Sequence, residues 1–204
     1  MKWVRQRGAA ALVLFLVLGL MGLASLRTKR HRKAIGDRET IECGVLRAKV
    51  KSGTDANAPG INLVATPTTI AALTALEPHH RSERTGVELQ TFRLEGVTLE
   101  GLRNEPDGDI HVILSEGGRT MVAEVPSMDC GASDSRFAAQ LQTARKHVFD
   151  NWRRWQARRG KLTVTVEGVA FFDFEHHQTG VAANGIELHP VTRICAGWWD
   201  CWWN

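Results

Sequence analysis

The sequence predicts a mostly β domain with one main helix, and three observations carry that prediction. Alternating apolar and polar residues recur at Val87–Glu100, Asp109–Leu114, Thr120–Val125, Leu162–Phe174 and Ile186–Ile194, the period-2 pattern of half-buried strands. One stretch, Ser135–Arg159, changes to helical spacing. Short hairpin connections suit antiparallel pairing, whereas parallel α/β strands would need a helix at each crossover.

Taken in order, the long Val87–Glu100 run comes first, and the next two runs are joined by SEGGR, whose paired glycines suit a hairpin turn. In the helical stretch Phe137, Leu141, Ala144, Val148, Trp152 and Trp155 fall at spacings of three and four and make one apolar stripe. Ser133 or Asp134 can cap its start, and Gly160 sits where helices commonly end. Two strands follow, separated by the loop HHQTGVAANG. The order β-β-β-α-β-β is that of the OB-fold, a five-stranded partly open barrel with a helix between its third and fourth strands. The class is therefore α+β, OB-fold-like; a mixed sheet covered by one helix would give the same string.

At 204 residues the chain suits one domain plus a targeting segment. Residues 1–33 read as a signal or anchor segment with basic flanks, 34–86 as a connector and irregular wrapping segment, 87–194 as the OB-like domain and 195–204 as a Trp-rich tail. Within the connector, Val50–Leu73 is rich in Gly, Pro, Thr and Asn, with a short helix possible at Thr68–Leu76.

Ala9–Leu26 contains no charged residue and as a helix reaches roughly 27 Å, enough to span a bilayer. Small residues at Gly22 and Ala24 also permit cleavage after Ala24. The expectation is a bacterial envelope protein, membrane-anchored through residues 9–26 and facing outside the cytoplasm, or secreted if cleaved. RTKRHRK after the span opposes this by the positive-inside rule and leaves the inverted topology open.

Eight of the 26 basic residues lie in that flanked segment, so the remaining 18 face all 22 acidic residues and the body of the chain is net negative by four. That removes the overall positive field expected of a nucleic-acid binder. A local basic run remains on the helix and its end: Arg136, Arg145, Lys146, Arg153, Arg154, Arg158, Arg159 and Lys161. It could meet an anionic polymer or lipid; more commonly such a run is the solvated face of an amphipathic helix.

The polar residues that could form a site are Asp109, His111, Glu124, Asp173, His176, His177, Glu187 and His189. Asp109 and His111 share a strand face, as do Glu187 and His189, because residues two apart point the same way. Those four are the candidate metal ligands or acid–base groups of a divalent-metal-dependent hydrolase acting on a phosphoester or acyl centre. No HExxH, paired CxxC, GxSxG or phosphate-cradling Gly-rich loop is present. The competing expectation is that these groups satisfy one another and the backbone, and no cofactor is then required.

CGVLRAKVKSGTD (Cys43–Asp55), INL with TPTTI (Ile61–Ile70), DGDIHVIL (Asp107–Leu114) and FFDFEHHQTGVAANGIELHPV (Phe171–Val191) resemble a family of small, often exported bacterial proteins that carries no assigned activity. The resemblance covers Cys43–Ile194. Ala48 stands where that pattern usually has Trp, and His177 where it usually has Gly.

Four cysteines in an exported chain imply two disulfides, with three possible connectivities. Cys43 and Cys130 both lie inside the family-like region and border predicted β structure, and are paired here; Cys195 then pairs with Cys201. The ending AGWWDCWWN carries Trp198, Trp199, Trp202 and Trp203. Such a cluster suits a membrane interface, sugar stacking or a protein contact, or a tail that folds back over a barrel edge or mouth.

The function expected from these features is a non-catalytic OB-like module in the envelope that binds an unknown ligand or protein partner. Its binding residues are His176, His177, Gln178 and the four tail tryptophans. The hydrolase is the alternative and a purely structural envelope protein the third possibility.

Overall fold

A computed structural model describes Cys43 and residues 46–79, 82–174 and 178–203. The span 9–26, His176 and His177 lie outside the described residues. No described helix is long and apolar enough to cross a membrane.

The five predicted strands form a closed mixed barrel. In chain order the strands are β1 (Asn62–Thr68), β2 (Gln90–Asn104), β3 (Ile110–Glu116), β4 (Arg119–Val125), β5 (Leu162–Phe172) and β6 (Ile186–Cys195). The sheet runs β1-β2-β3-β4-β6-β5, and β2 pairs with β5 to close it. β4 and β6 pair in parallel, while β2–β3, β3–β4, β2–β5 and β5–β6 are antiparallel. The helices are α1 (Ala48–Ser52), α2 (Ile70–Thr74), α3 (Ala138–Gln156) and α4 (Gly197–Trp203). With α3 between the third and fourth barrel strands, the architecture is the OB-like α+β fold that the pattern predicts.

Several boundaries depart from the expectation. Residues Gly86–Leu89 form a 3₁₀ turn, and β2 then runs to Asn104 instead of stopping at Glu100. Its ladders shift register between Leu94 and Val97 and between Leu99 and Gly101. These bulges bend one strand enough to pair with two neighbours, and they also interrupt the alternation that sequence reading follows. β1, inside the segment expected to be irregular, is a parallel edge strand on β2. The caps differ too. Residues Ala132–Asp134 make their own 3₁₀ turn, so neither Ser133 nor Asp134 caps α3, and Ser135 Oγ instead accepts from Phe137 N at 3.3 Å.

The core fills the barrel. Ile110, Val112 and Leu114 of β3, Met121, Ala123 and Val125 of β4, and Ile186 and Leu188 of β6 point inward, and the α3 stripe packs on them through Ala144, Val148 and Trp155. Gly168 is required where β5 crosses β6: a Cβ there would lie 2.9 Å from Leu188 Cβ and 3.0 Å from Pro190 O.

Both disulfides form as paired from the sequence, Cys43–Cys130 and Cys195–Cys201, and no described cysteine is free. Two disulfides fit an oxidising, extracytoplasmic location. The first fastens the wrapping segment to the 3₁₀ turn Met128–Cys130 that follows β4. A buried ion pair fastens the same segment to β5: Arg47 makes two 2.8 Å bonds to Glu88, and Glu88 Oε1 also accepts from Phe172 N at 2.9 Å. Arg47 holds a left-handed backbone, φ 53°, a strained state for a non-glycine that its bidentate anchor offsets.

Candidate functional site

Because inward positions alternate with outward ones, His111, Glu124, Glu187 and His189 all project from the outer face of the barrel, one residue away from core positions. An outer face is normally wet. Here it is not: His111 and His189 are fully buried, and Asp109, Glu124, Asp173 and Glu187 are at most 8% exposed. The cover is the chain itself. α1 lays Lys51 over the face, and residues Thr179 and Gly180 close the side beside His111 and Ile113.

Glu124 is the hub. His111 and Glu124 are cross-strand partners in the β3–β4 ladder, and His111 Nδ1 meets Glu124 Oε1 at 3.0 Å. The parallel β4–β6 register pairs Val122 with Glu187 and Ala123 with Leu188, which brings His189 to the other oxygen, Nδ1 to Oε2 at 3.1 Å. His189 Nδ1 is also 3.1 Å from Glu187 Oε1. Its Nε2 approaches Asp109 Oδ2 at 3.4 Å, an ionic approach that falls short of a formed hydrogen bond. Asp109 Oδ1 accepts from Ser127 N at 2.6 Å, and Lys51 Nζ donates to Asp173 Oδ2 at 3.0 Å.

The charges follow from these partners. Burial alone would push Glu124 up, yet hydrogen bonds from His111 and His189 hold its carboxyl well below the ordinary range. Burial would lower His189, but Asp109, Glu124 and Glu187 raise it well above an ordinary imidazole. His111 is raised too, against its own desolvation, by Glu124 and the Thr179 carbonyl at 3.3 Å; both nitrogens face acceptors, so both carry protons. Glu187 is pushed up to about 7 by burial and by the Glu124 charge. Lys51 stays charged because Glu187, Glu124 and Asp173 outweigh its burial. The result is a layer of alternating cations and anions between barrel and wrap.

Of the four candidate ligands, Asp109 and His189 converge together with Glu124, their ligand atoms lying within 4.8 Å of one another. Glu187 adjoins His189, while His111 reaches the group only through Glu124. Glu124 and Asp109 address opposite nitrogens of the His189 ring, which is the arrangement of an imidazolium bridging two carboxylates. A single ion would need the donors on one side. The adjoining chamber, lined by Lys51, Asp107, Asp109, Ser127 and His189, measures about 30 Å³, room for one water molecule.

Elsewhere the basic run divides. Arg136 donates to the Ala58 and Pro59 carbonyls and the half-buried Arg145 of α3 to those of Gly108, Val125 and Pro126, so both are engaged by loops of the chain itself. Arg153, Arg154, Arg158 and Arg159 are exposed. Gln178 is half-buried beside the loop.

The tail forms α4, tied down by Cys195–Cys201, by Asp200 Oδ2 accepting from Ala196 N at 2.7 Å and meeting His147 Nε2 at 2.9 Å, and by Arg193 donating to the Cys201 carbonyl. Trp199 and Trp202 are 72% and 69% exposed, so those two rings do not fold back over the barrel. Two concavities lie near this helix, one of about 360 Å³ lined by Leu63, Gln140, Thr143, Glu167 and the α4 partners His147 and Arg193 among others. The other, about 390 Å³, includes Arg93, Thr163, Thr165, Arg193, Gly197 and Cys201. Sequence reading located the tryptophans but not the Arg93–Glu167–Arg193 row beside them, because those residues come together only when β2, β5 and β6 close the barrel.

No protein-family model and no curated protein matches the chain. Among solved structures, a chain assigned as an aspartyl-tRNA synthetase from Leishmania major Friedlin is similar over 66% of this chain and 21% of that one, at 15% identity and a TM-score of 0.38.

Proposed function

We propose that the chain is a non-catalytic OB-like binding module displayed outside the cytoplasm. In this reading residues 9–26 anchor it or direct its secretion, and it takes its ligand in the groove formed by the outer face of β2, β5 and β6, α3 and the tryptophan helix. One observation carries the reading: Trp199 and Trp202 are exposed on a helix that the Cys195–Cys201 disulfide, Asp200 and Cys201 fasten to His147 and Arg193, two residues that line the groove. Large exposed apolar surface of this kind marks interaction sites, and the disulfide holds the helix that carries it in place. The concavities fall within the size range of small-molecule sites.

The face formed by the second and third strands of an OB barrel is a common ligand surface. In this chain it is filled over His111 and Glu124 by the protein's own α1 and the loop at Thr179. Binding is therefore assigned to the opposite side. Convergence of Asp109, Glu124 and His189 favours the hydrolase as a second reading, but a chamber of about 30 Å³ gives a phosphoester or acyl centre no access.

The test is an NMR fragment screen on the full chain, following Gln140, His147, Arg193 and the tryptophan indoles. Clustered shifts at these groups support the groove. Shifts confined to Asp109, His111, Glu187 and His189, or zinc bound in stoichiometric amount after purification, would move the assignment to the buried cluster.

A further inference from the structure

Resting on that reading of the groove, we propose that its ligand is a saccharide chain of little or no charge, laid across β5 with a sugar ring on Trp199 or Trp202. The charge balance points away from anionic ligands. Arg93 Nε and Arg193 Nη1 both bond Glu167 Oε1, at 2.9 and 3.1 Å, and Arg93 also approaches Glu95 at 3.5 Å. Two guanidiniums are thus matched by two carboxylates, and no surplus cation remains in this row to hold a phosphate, sulfate or carboxylate.

What the row does present is hydrogen-bonding capacity of both kinds. Each guanidinium keeps N–H groups beyond those bonded to Glu167. Thr143 and Thr192, exposed and half-buried, line the same concavity, and each donates its own hydroxyl proton to a carbonyl of the chain, at 2.8 and 3.3 Å. Their outward lone pairs are therefore acceptors. Gln140 adds an amide that does both. Sugar hydroxyls, each donor and acceptor, match such a lining; an apolar metabolite would leave it unsatisfied.

The aromatic element completes the match. Trp199 and Trp202 are three residues apart and so neighbour one another on the helix. Pyranose rings combine an apolar C–H face with equatorial hydroxyls, and a large flat indole meets that face while polar groups take the rim. Because α4 is pinned by Cys195–Cys201, Asp200 and Arg193, little ordering of the platform is needed on binding. Two concavities of about 360 and 390 Å³ sharing Arg193 suit consecutive rings of a chain better than one compact molecule.

The experiment uses the full oxidised chain, with chitohexaose, cellohexaose and maltohexaose as neutral probes and dextran sulfate as the polyanion, read by calorimetry and tryptophan fluorescence. At least one neutral hexasaccharide is expected to bind with Kd below about 1 mM. Trp199→Ala with Trp202→Ala should weaken it about tenfold or more, and Arg193→Gln should weaken it too. Trp202→Phe should retain part of the affinity, and Phe149→Ala, an exposed ring on α3 stacked on Trp152, should change nothing. Binding of dextran sulfate alone, or saccharide binding indifferent to Trp199, Trp202 and Arg193, overturns the proposal. If no saccharide binds while fragments still shift the groove resonances, the saccharide assignment falls and the groove stands; if neither occurs, both fall.

Discussion

Glu124 faces His111 directly across the β3–β4 ladder, their side chains meeting at 3.0 Å, and its second oxygen lies 3.1 Å from His189. One buried carboxylate thus joins three strands through two imidazoles. Removing it leaves two buried cations facing each other without their shared anion. Glu124→Ala is expected to cost about 3–5 kcal/mol, read as a lower urea midpoint with an unchanged m-value. Glu124→Gln should cost less, since it keeps the volume and one acceptor. A loss below about 1 kcal/mol for the alanine variant would mean that the cluster is solvated and the wrap open.

The same cluster sets a pH optimum. His189 and Glu187 both have raised folded values, Glu187 to about 7. Groups raised on folding contribute stability that is complete below their unfolded pKa and lost as pH rises through the folded one. Glu124 is lowered, so its contribution is present above its unfolded value, about 4.3, and is lost in acid. Stability should therefore peak near pH 4 to 5, decline up to about pH 7 while Glu187 is ionised in the unfolded chain but protonated in the fold, and go on declining above about 6.5 through His189 and His111. Chemical denaturation from pH 3 to 9 checks this, and Glu187→Gln should flatten the decline between about pH 5 and 7. A wild-type curve that rises from pH 6 to 8 contradicts the charge assignment.

Why the barrel strands and α3 were legible while β1 was not is a matter of burial. Val112, Ala123 and Leu188 each sit next to a polar residue on the opposite face, His111, Glu124 and Glu187, because one face of each strand packs on the core, and Leu141, Ala144, Val148 and Trp155 repeat for the same reason on a helix. β1 is an edge strand exposed along most of its length, and it contains Pro67. It buries neither face, so it has no period to read, and proline is tolerated there because no second neighbour needs its N–H. The site divides in the same way. Parity placed Asp109 with His111 and Glu187 with His189, but their joint partner Glu124 follows from a parallel β4–β6 pairing between segments more than sixty residues apart. Lys51 and Arg47 come from a segment whose composition reads as irregular, and no local spacing marks either as the cover of an acidic face.

Gly168 offers a sharper test of barrel closure than a core truncation does. An added methyl would meet Leu188 Cβ at 2.9 Å, Pro190 O at 3.0 Å and Val191 Cα at 3.3 Å. Two of these are backbone atoms of the paired strand and cannot turn aside as a side chain would. Gly168→Ala should cost about 2–3 kcal/mol, the range of overpacking, and lower the protection of β5–β6 amides in hydrogen exchange. Gly117→Ala, in the β3–β4 turn at φ 55° with nothing within 4 Å, should cost only about 1 kcal/mol from backbone strain. Equal losses would show that β5 and β6 separate easily.

The two disulfides should differ in weight because they close loops of very different length. Cys43–Cys130 spans 87 positions and Cys195–Cys201 only six; loop entropy then gives about 4–5 kcal/mol for the first and about 2–2.5 for the second. Cys43→Ser with Cys130→Ser should lower global stability sharply, releasing the cover over Glu124 and making the pH profile shallower. Cys195→Ser with Cys201→Ser should leave the barrel cooperative and chiefly loosen α4, seen as faster exchange at Trp199 and Trp202 and weaker binding in the groove. Both effects presuppose oxidation, so alkylation of the native protein without reductant, followed by intact mass measurement, should add no thiol label. Four labels on protein from its native host would remove the extracytoplasmic reading, and with it the argument that the tail helix is held rigid.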